Sequence, residues 1–384
     1  MNVVTPGGRD PLSVILKLVG ETCNINCYYC FEKRKPYESA ERLTPELLRT
    51  FLSRCGDRPL AVELHGGEPL LLGKEAMRGI LRELGRYPGR VQVRMQTNGT
   101  LLDDEWLDLL DGSEGCRVEI GISLDGDRDA NAFRVDYADR GTGDRVERAL
   151  RLMGERGRRT GVIAVVTKRS LGRAAELLDH FASFDAVEAV NLAPCFDLAV
   201  IPKRLPPGNR ASLLALNPAG AAMPGWAVTP AEYATFVCEA YDHWREAGLY
   251  TKFIVDPLFS IIRKLGGHEP SSCHFTEMKC AYVLTLYPDG RLGSCDELPM
   301  PTALHGNVET VDLDAALALQ TARALESGMA RLLARCSDCA YQSSCGGGCI
   351  ATRLRYENTP LEEQYCAYRM TVIDHVAASL PCPA

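Results

Sequence analysis

Three cysteines stand close together in Cys23-Asn24-Ile25-Asn26-Cys27-Tyr28-Tyr29-Cys30, with three and then two residues between them, directly after the apolar run Leu12 to Val19. A loop this compact can wrap one face of a metal cluster and keep all three sulfurs within reach of neighbouring metals. Three thiolates hold three irons of a 4Fe-4S cube and leave the fourth without a protein ligand, whereas an electron carrier supplies four cysteines. Disulfides would leave one thiol over, and zinc would want a fourth ligand nearby. The apolar run reads as a buried parallel strand, so the open iron belongs at a strand's C-terminal end.

From there the chain repeats one beat. Thr44 caps a helix that starts at Pro45 and runs to about Ser53, and a strand comes next at Leu60 to Leu64. Further helices are expected at 74–85, 103–110, 144–157 and 172–181, alternating with strands at 91–97, 117–124, 161–167 and 187–192. Six strands alternating with helices imply a parallel sheet with right-handed crossovers. Six units instead of eight suggest a partial TIM-like (β/α)6 barrel, open on one side, with its chemistry at the C-terminal strand ends. Pro202 to Trp226 is rich in Pro, Gly and Ala and reads as a long loop. Order resumes in a helix from Pro230 to Ala247 capped by Thr229. The expected divisions are 1–228 for the barrel, 229–272 for a helical linker, and 273–384 for a smaller cysteine-rich domain with a C-terminal helix.

The chain has 384 residues, 46% of them hydrophobic and 24% charged, which suits a globular protein with a sizeable core. A net charge of -7 gives no electrostatic support for nucleic-acid binding. No run of about 18 apolar residues appears, and Met1 to Pro11 has no signal-peptide core, so a cytoplasmic protein without a membrane segment is expected. In a reducing compartment the 16 cysteines point to metal or chemistry more than to disulfides.

Three further stretches end expected strands. His65-Gly66-Gly67-Glu68-Pro69 offers close backbone approach and an acceptor for a cationic amino group. Gln96-Thr97-Asn98-Gly99-Thr100 and Ser123-Leu124-Asp125-Gly126 supply short polar side chains and tight turns. Their shared position at strand ends makes one small-molecule site of them. His65 itself reads as structural. Downstream lie Cys273, Cys280, Cys295, Cys336, Cys339, Cys345, Cys349 and Cys366, with Gly290 and Gly346 to Gly348 available where the chain must pass close to sulfur. Eight thiols suit two fully ligated clusters, and the Cys336-x2-Cys339 spacing suits zinc equally well. Cys55, Cys116, Cys195, Cys238 and Cys382 read as small apolar residues.

The Cys23/Cys27/Cys30 spacing with Tyr29 before the last cysteine resembles the signature of the radical S-adenosylmethionine (radical SAM) superfamily. The seven cysteines from Cys280 to Cys366 resemble its SPASM extension, and the two signatures together favour iron-sulfur over zinc. The likeness runs from Val14 to Cys366 and implies three 4Fe-4S clusters, one binding S-adenosylmethionine and two auxiliary. It implies that Gly66, Gly67 and Glu68 hold the methionyl amino group, and that Ser123 and Arg134 meet the carboxylate or ribose. Thr97, Asn98 and Asp125 would line the same pocket. The residues before Arg134, Ala130-Asn131-Ala132-Phe133, lack the His-Asp often found there.

The layout is similar to that of anaerobic sulfatase-maturating enzymes and of maturases of ribosomally made peptides. By likeness to the former, one auxiliary cluster would take Cys273, Cys280, Cys295 and Cys349, and the other Cys336, Cys339, Cys345 and Cys366. Asp296 would stand where the sulfatase maturases keep their catalytic base; a turn aspartate, or an acceptor behind the cluster ligands, is the plainer alternative. Phe31-Glu32-Lys33-Arg34-Lys35 and His65 resemble the peptide maturases more. The expectation is an oxidoreductase that crosslinks or otherwise oxidises side chains of a precursor peptide, as a carbon-carbon cyclophane or a thioether. Formylglycine formation in a sulfatase and plain iron-sulfur electron transfer are the alternatives. Implied partners are the precursor peptide or protein and a flavodoxin- or ferredoxin-type reductant. Only about 12 residues precede the first strand, too few for a recognition domain, so leader binding would need another protein or another surface.

Overall fold

The computed structural model describes residues 7, 10–34, 41–112, 114–196, 225–277, 280–298, 303–326 and 334–380. Strands β1 (Leu12–Lys17), β2 (Leu60–His65), β3 (Val91–Thr97), β4 (Val118–Ser123), β5 (Thr160–Val166) and β6 (Val187–Pro194) pair in parallel in that order. Helices α1 (Pro45–Cys55), α2 (Lys74–Gly85), α3 (Asp104–Leu110), α4 (Gly143–Glu155) and α5 (Ala174–Ala182) connect them. The architecture is the expected partial α/β barrel.

Local sequence explains these elements. Thr44 accepts from the Leu47 amide at 3.2 Å, Pro45 opens α1, and Leu48, Phe51, Leu52 and Cys55 form its buried stripe. Along β2 the side chains alternate, with Leu60, Val62 and Leu64 buried against the helices and Glu63 and His65 facing the barrel interior. Each fully buried Leu of this layer contributes roughly 1.5–3 kcal/mol. Cys55, Cys116 and Cys195 are buried as expected for small apolar residues. Cys382 and most of the expected loop at 202–226 lie outside the described residues.

The sheet does not stop at six strands. On one edge β7 (Ile254–Asp256) pairs in parallel with β6; on the other, β8 (Val283–Leu286) pairs in parallel with β1 and leads into antiparallel β9 (Arg291–Gly293) and β10 (Leu304–Asn307). These strands have three or four residues, too few to display alternation, which is why they are not legible in the sequence. The cysteine-rich part of the chain thus continues the barrel sheet past β1. Helix α6 (Pro230–Glu246) starts at a reciprocal capping box between Thr229 and Glu232 and packs against α5. Beyond it come α7 (Leu258–Leu265), α8 (Leu313–Glu326), α9 (Gln342–Cys345), α10 (Ile350–Tyr356) and α11 (Leu361–Ala377), which lies along α6. Among the described residues no helix is long and apolar enough to cross a membrane.

Candidate active site and cysteine sets

The loop after β1 and the loop after β2 are stitched together by backbone. Gly67 N donates to the Gly20 carbonyl and Glu68 N to the Thr22 carbonyl, both at 2.9 Å. A Cβ on Gly67 would stand 2.1 Å from the Thr22 oxygen, so only glycine allows this approach. Glu68 is fully buried. Its carboxylate accepts from Thr97 Oγ1 at 2.6 Å, the Leu70 amide at 3.1 Å and the Asn98 amide at 2.8 Å. Burial nevertheless holds its carboxyl above the ordinary range. Both oxygens are engaged inside the protein, so Glu68 braces the pocket as well as bordering it.

Asn98 Nδ2 donates to Asn24 Oδ1 at 2.8 Å and points at Cys23 Sγ at 3.7 Å. Tyr29 donates its hydroxyl to Asp125 Oδ2 at 2.5 Å and accepts from Arg134 Nη1 at 3.0 Å; Arg134 Nη1 stands 3.9 Å from Asp125 Oδ1. The aromatic residue between the second and third cysteines is therefore anchored past the end of β4. Ser123 Oγ accepts from Gln96 Nε2 at 2.9 Å. Burial pushes the Cys23 thiol far above its ordinary value, with Glu68, Cys30 and Cys27 close enough to add to the shift. Three thiols in one electrostatic environment, facing a glycine-lined backbone cradle, fit a cluster with one open iron.

Beside this pocket lies a group of side chains that no sequence pattern assembles. Lys17 ends β1 and is fully buried. Its ammonium donates to Glu32 Oε1 at 2.5 Å and meets Asp296 Oδ2 at 2.7 Å and His65 Nδ1 at 3.0 Å. Three protons face three partners from three separate stretches of the chain. Glu32 comes after the third cysteine, His65 precedes the double glycine, and Asp296 comes directly after Cys295. His65, expected to be only structural, stands 3.8 Å from Asp296. The one signal in the sequence is a lysine at the end of an otherwise apolar strand, since buried lysines are rare unless paired.

The downstream thiols gather in two places. Cys280 and Cys295 are in hydrogen-bonding contact, and Cys349 and Asp296 act electrostatically on Cys295, whose thiol is held well above its ordinary value by Cys280 and burial. Tyr282 senses Cys273, Cys280 and Cys295 together. Burial would raise the Cys349 thiol, but a hydrogen bond from His274 and its charge prevail and bring it to about 6. The second group, Cys336, Cys339, Cys345 and Cys366, lines a cavity of about 190 Å³. Arg369 Nε donates to Cys345 Sγ at 2.9 Å, and both terminal nitrogens of Arg353 point at Cys366 Sγ at 3.5 Å. Burial raises the Cys345 thiol, but Arg369, a hydrogen bond from the Gly347 amide and Arg353 together bring it below its ordinary value. Both groups suit soft, thiolate-bound metal centres. Gly346 serves packing, since a Cβ there would fall 2.0 Å from the Phe275 carbonyl oxygen, whereas the Gly347 backbone hydrogen-bonds Cys345.

A parallel partial barrel whose first strand delivers three clustered thiols beside a glycine-rich loop defines a radical SAM site. Residues 18–181 match the family model described as Radical SAM superfamily, and this part of the chain is a radical SAM domain. Through this domain the chain is an enzyme whose cofactors are iron-sulfur and S-adenosylmethionine. It is 25% identical over 360 residues to the serine-type anaerobic sulfatase-maturating enzyme of Bacteroides thetaiotaomicron, covering 89% of this chain and 83% of that one. In structure it resembles native anSMEcpe with bound AdoMet, with a TM-score of 0.74 and 21% identity over 96% of this chain and 98% of the other. Streptococcus suis SuiB bound to the precursor peptide SuiA has a TM-score of 0.59 and 16% identity, over 91% of this chain and 74% of SuiB.

Proposed function

We propose that this chain is a radical SAM peptide maturase that oxidises, and crosslinks, side chains of a ribosomally made precursor. The observation that carries the reading is the buried meeting of Asp296, Glu32 and His65 on Lys17, beside the cluster pocket and next to a downstream thiol. When bound, the cluster and S-adenosylmethionine would supply a 5'-deoxyadenosyl radical, an abstractor of hydrogen atoms. Cys23, Cys27 and Cys30 would hold that cluster. Gly66 and Gly67, braced by Glu68, would meet the methionyl amino group; Thr97, Asn98, Ser123, Asp125 and Arg134 would line the rest of the pocket. Asp296, held by Lys17, takes the proton that the substrate loses on oxidation.

Cys273, Cys280, Cys295 and Cys349 hold one auxiliary cluster, and Cys336, Cys339, Cys345 and Cys366 the other, within a SPASM region from 273 onward. The six-stranded barrel core falls within 1–228, and the segment 229–272 carries α6, α7 and the edge strand β7. A flavodoxin- or ferredoxin-type protein supplies the electron in the cytoplasm, and a separate protein or surface recognises the leader.

Asp296→Asn is expected to cleave S-adenosylmethionine and yield no peptide product; unchanged product would remove Asp296 from the role of base. The likeness to a sulfatase-maturating enzyme over most of the chain favours a second reading, formylglycine formation on a sulfatase. Candidate peptides and sulfatase fragments co-expressed with the chain, followed by mass spectrometry and aldehyde capture, separate the two. A product lighter by two hydrogens that resists aldehyde reagents supports crosslinking, and a captured aldehyde supports the alternative.

A further inference from the structure

Two buried guanidiniums lie against the thiols of the second downstream group. Arg369, on α11, donates from Nη2 to the carbonyls of Cys345 at 2.6 Å and His274 at 3.2 Å, in addition to its bond to Cys345 Sγ. Its guanidinium carbon stands 4.2 Å from the centre of the Phe275 ring. Arg353, on α10, donates Nε to the Gly347 carbonyl, rests 5.1 Å from the Tyr365 ring centre and turns its other nitrogens to Cys366. Both are 3% exposed. Among the described residues neither forms an ion pair with a carboxylate. A buried cation without a counter-charge costs several kcal/mol. An anion held by the thiols that both arginines contact, in the cavity that Arg353 lines and where Arg335 and Glu363 pair with each other, offsets that cost.

The first group has more nearly balanced surroundings. Asp296 and Glu297 directly follow Cys295, and each carboxylate has its own cation, Lys17 at 2.7 Å from Asp296 and Arg355 at 3.0 Å from Glu297, so neither cation is turned to sulfur and His274 is the donor at Cys349. A cube held by four thiolates is an anion and gains one more negative charge on reduction. Cations and N–H donors at its sulfurs therefore favour the reduced form, and carboxylates oppose it.

We propose that Arg353 and Arg369 hold the Cys336/Cys339/Cys345/Cys366 cluster at a higher reduction potential than the Cys273/Cys280/Cys295/Cys349 cluster, making it the terminal electron acceptor within the chain. This rests on the reading that both groups carry clusters. The substrate gives a hydrogen atom to the deoxyadenosyl radical, a proton to Asp296 and one electron to the cluster beside Asp296. That electron passes to the arginine-flanked cluster and leaves to a one-electron iron-sulfur or flavin carrier protein, and the proton is released to water. Cys336, Cys339 and Cys366 are only half-buried, so a carrier can approach there.

The test is a redox titration of the anaerobically reconstituted full chain, monitored by electron paramagnetic resonance, with Cys339→Ser to assign the signal of the arginine-flanked group. The two auxiliary clusters are expected to differ at least tenfold in their reduction equilibria, about 59 mV for one electron, with the arginine-flanked cluster the easier to reduce. Arg353→Gln and Arg369→Gln lower that midpoint and leave the Cys23/Cys27/Cys30 signal unmoved; Arg353→Lys, which keeps the charge, restores most of it. About 12 irons per chain with equal or reversed auxiliary midpoints in the unsubstituted protein overturns the proposal and leaves the cluster reading intact. About four irons per chain removes the cluster reading, and this proposal with it. Should a Gln variant lose iron, the order of midpoints in the unsubstituted chain and in Arg353→Lys still decides the matter.

Discussion

The thiols at the end of β1 and those near the C-terminus are held by different means. At the barrel, backbone does most of the holding: Gly67 and Glu68 donate to the loop before Cys23, Asn26 N donates to the Val135 carbonyl at 2.7 Å, and Tyr28 N to the Phe133 carbonyl at 3.0 Å. Near the C-terminus long side chains do it: Arg369 and Arg353 reach sulfur, and the Tyr365 hydroxyl accepts from the Cys349 amide at 2.9 Å. A backbone cradle is specified by a few adjacent residues and tolerates little change. A side-chain cradle is assembled from distant positions, and its electrostatics can be altered one residue at a time.

The largest effect should come at the backbone-held site. Cys30→Ala is expected to abolish formation of 5'-deoxyadenosine while about eight irons per chain remain; loss of all iron would show that the two regions do not load independently. Next, Lys17→Met leaves Glu32 and Asp296 buried without their shared cation. Breaking a buried pair in this way costs about 3–5 kcal/mol, so the unfolding midpoint should drop, and product yield should fall severely. An unchanged melting temperature would mean that water or another cation replaces the ammonium.

A pH effect of similar but smaller size belongs to the barrel interior. Burial pushes the carboxyl of Glu63 from 4.5 up to about 7. Between these values the folded chain keeps a proton that the unfolded chain has lost, so stability is greatest at the low end and falls as pH rises through the window. The loss is about 3 kcal/mol by linkage, and Glu63→Gln should flatten that slope in denaturant titrations. Smallest is Tyr365→Phe, which withdraws the acceptor for the Cys349 amide and costs about 1 kcal/mol. Its shift should appear in thermal unfolding without any change in cleavage of S-adenosylmethionine, which would separate the C-terminal cradle from the barrel site.

Most of the barrel is legible in the sequence because its causes are local. Helix caps at Thr44, Asp103 and Thr229, the alternation along β2, and the loops at strand ends all rest on residues within a few positions of one another. The cysteine spacings belong to the same category. Strands β7 and β8 are not legible, because their pairing with β6 and β1 is chosen by the neighbouring strand and not by any pattern of their own. His65 reads as a structural residue because nothing adjacent to it names Lys17, 48 positions earlier.

The order of amino acids sets the kind of chemistry: thiols at fixed spacings, glycines where a Cβ would strike a carbonyl, and a strand-helix rhythm that puts loops at one end of a sheet. Which charges meet is a matter for the folded chain. Lys17 joins Glu32, His65 and Asp296, while Arg353 and Arg369 stand against one group of thiols and carboxylates against the other. The physical reason is that backbone conformation is set by near neighbours along the chain, whereas the field at a buried site is summed over whatever the fold brings within a few ångströms.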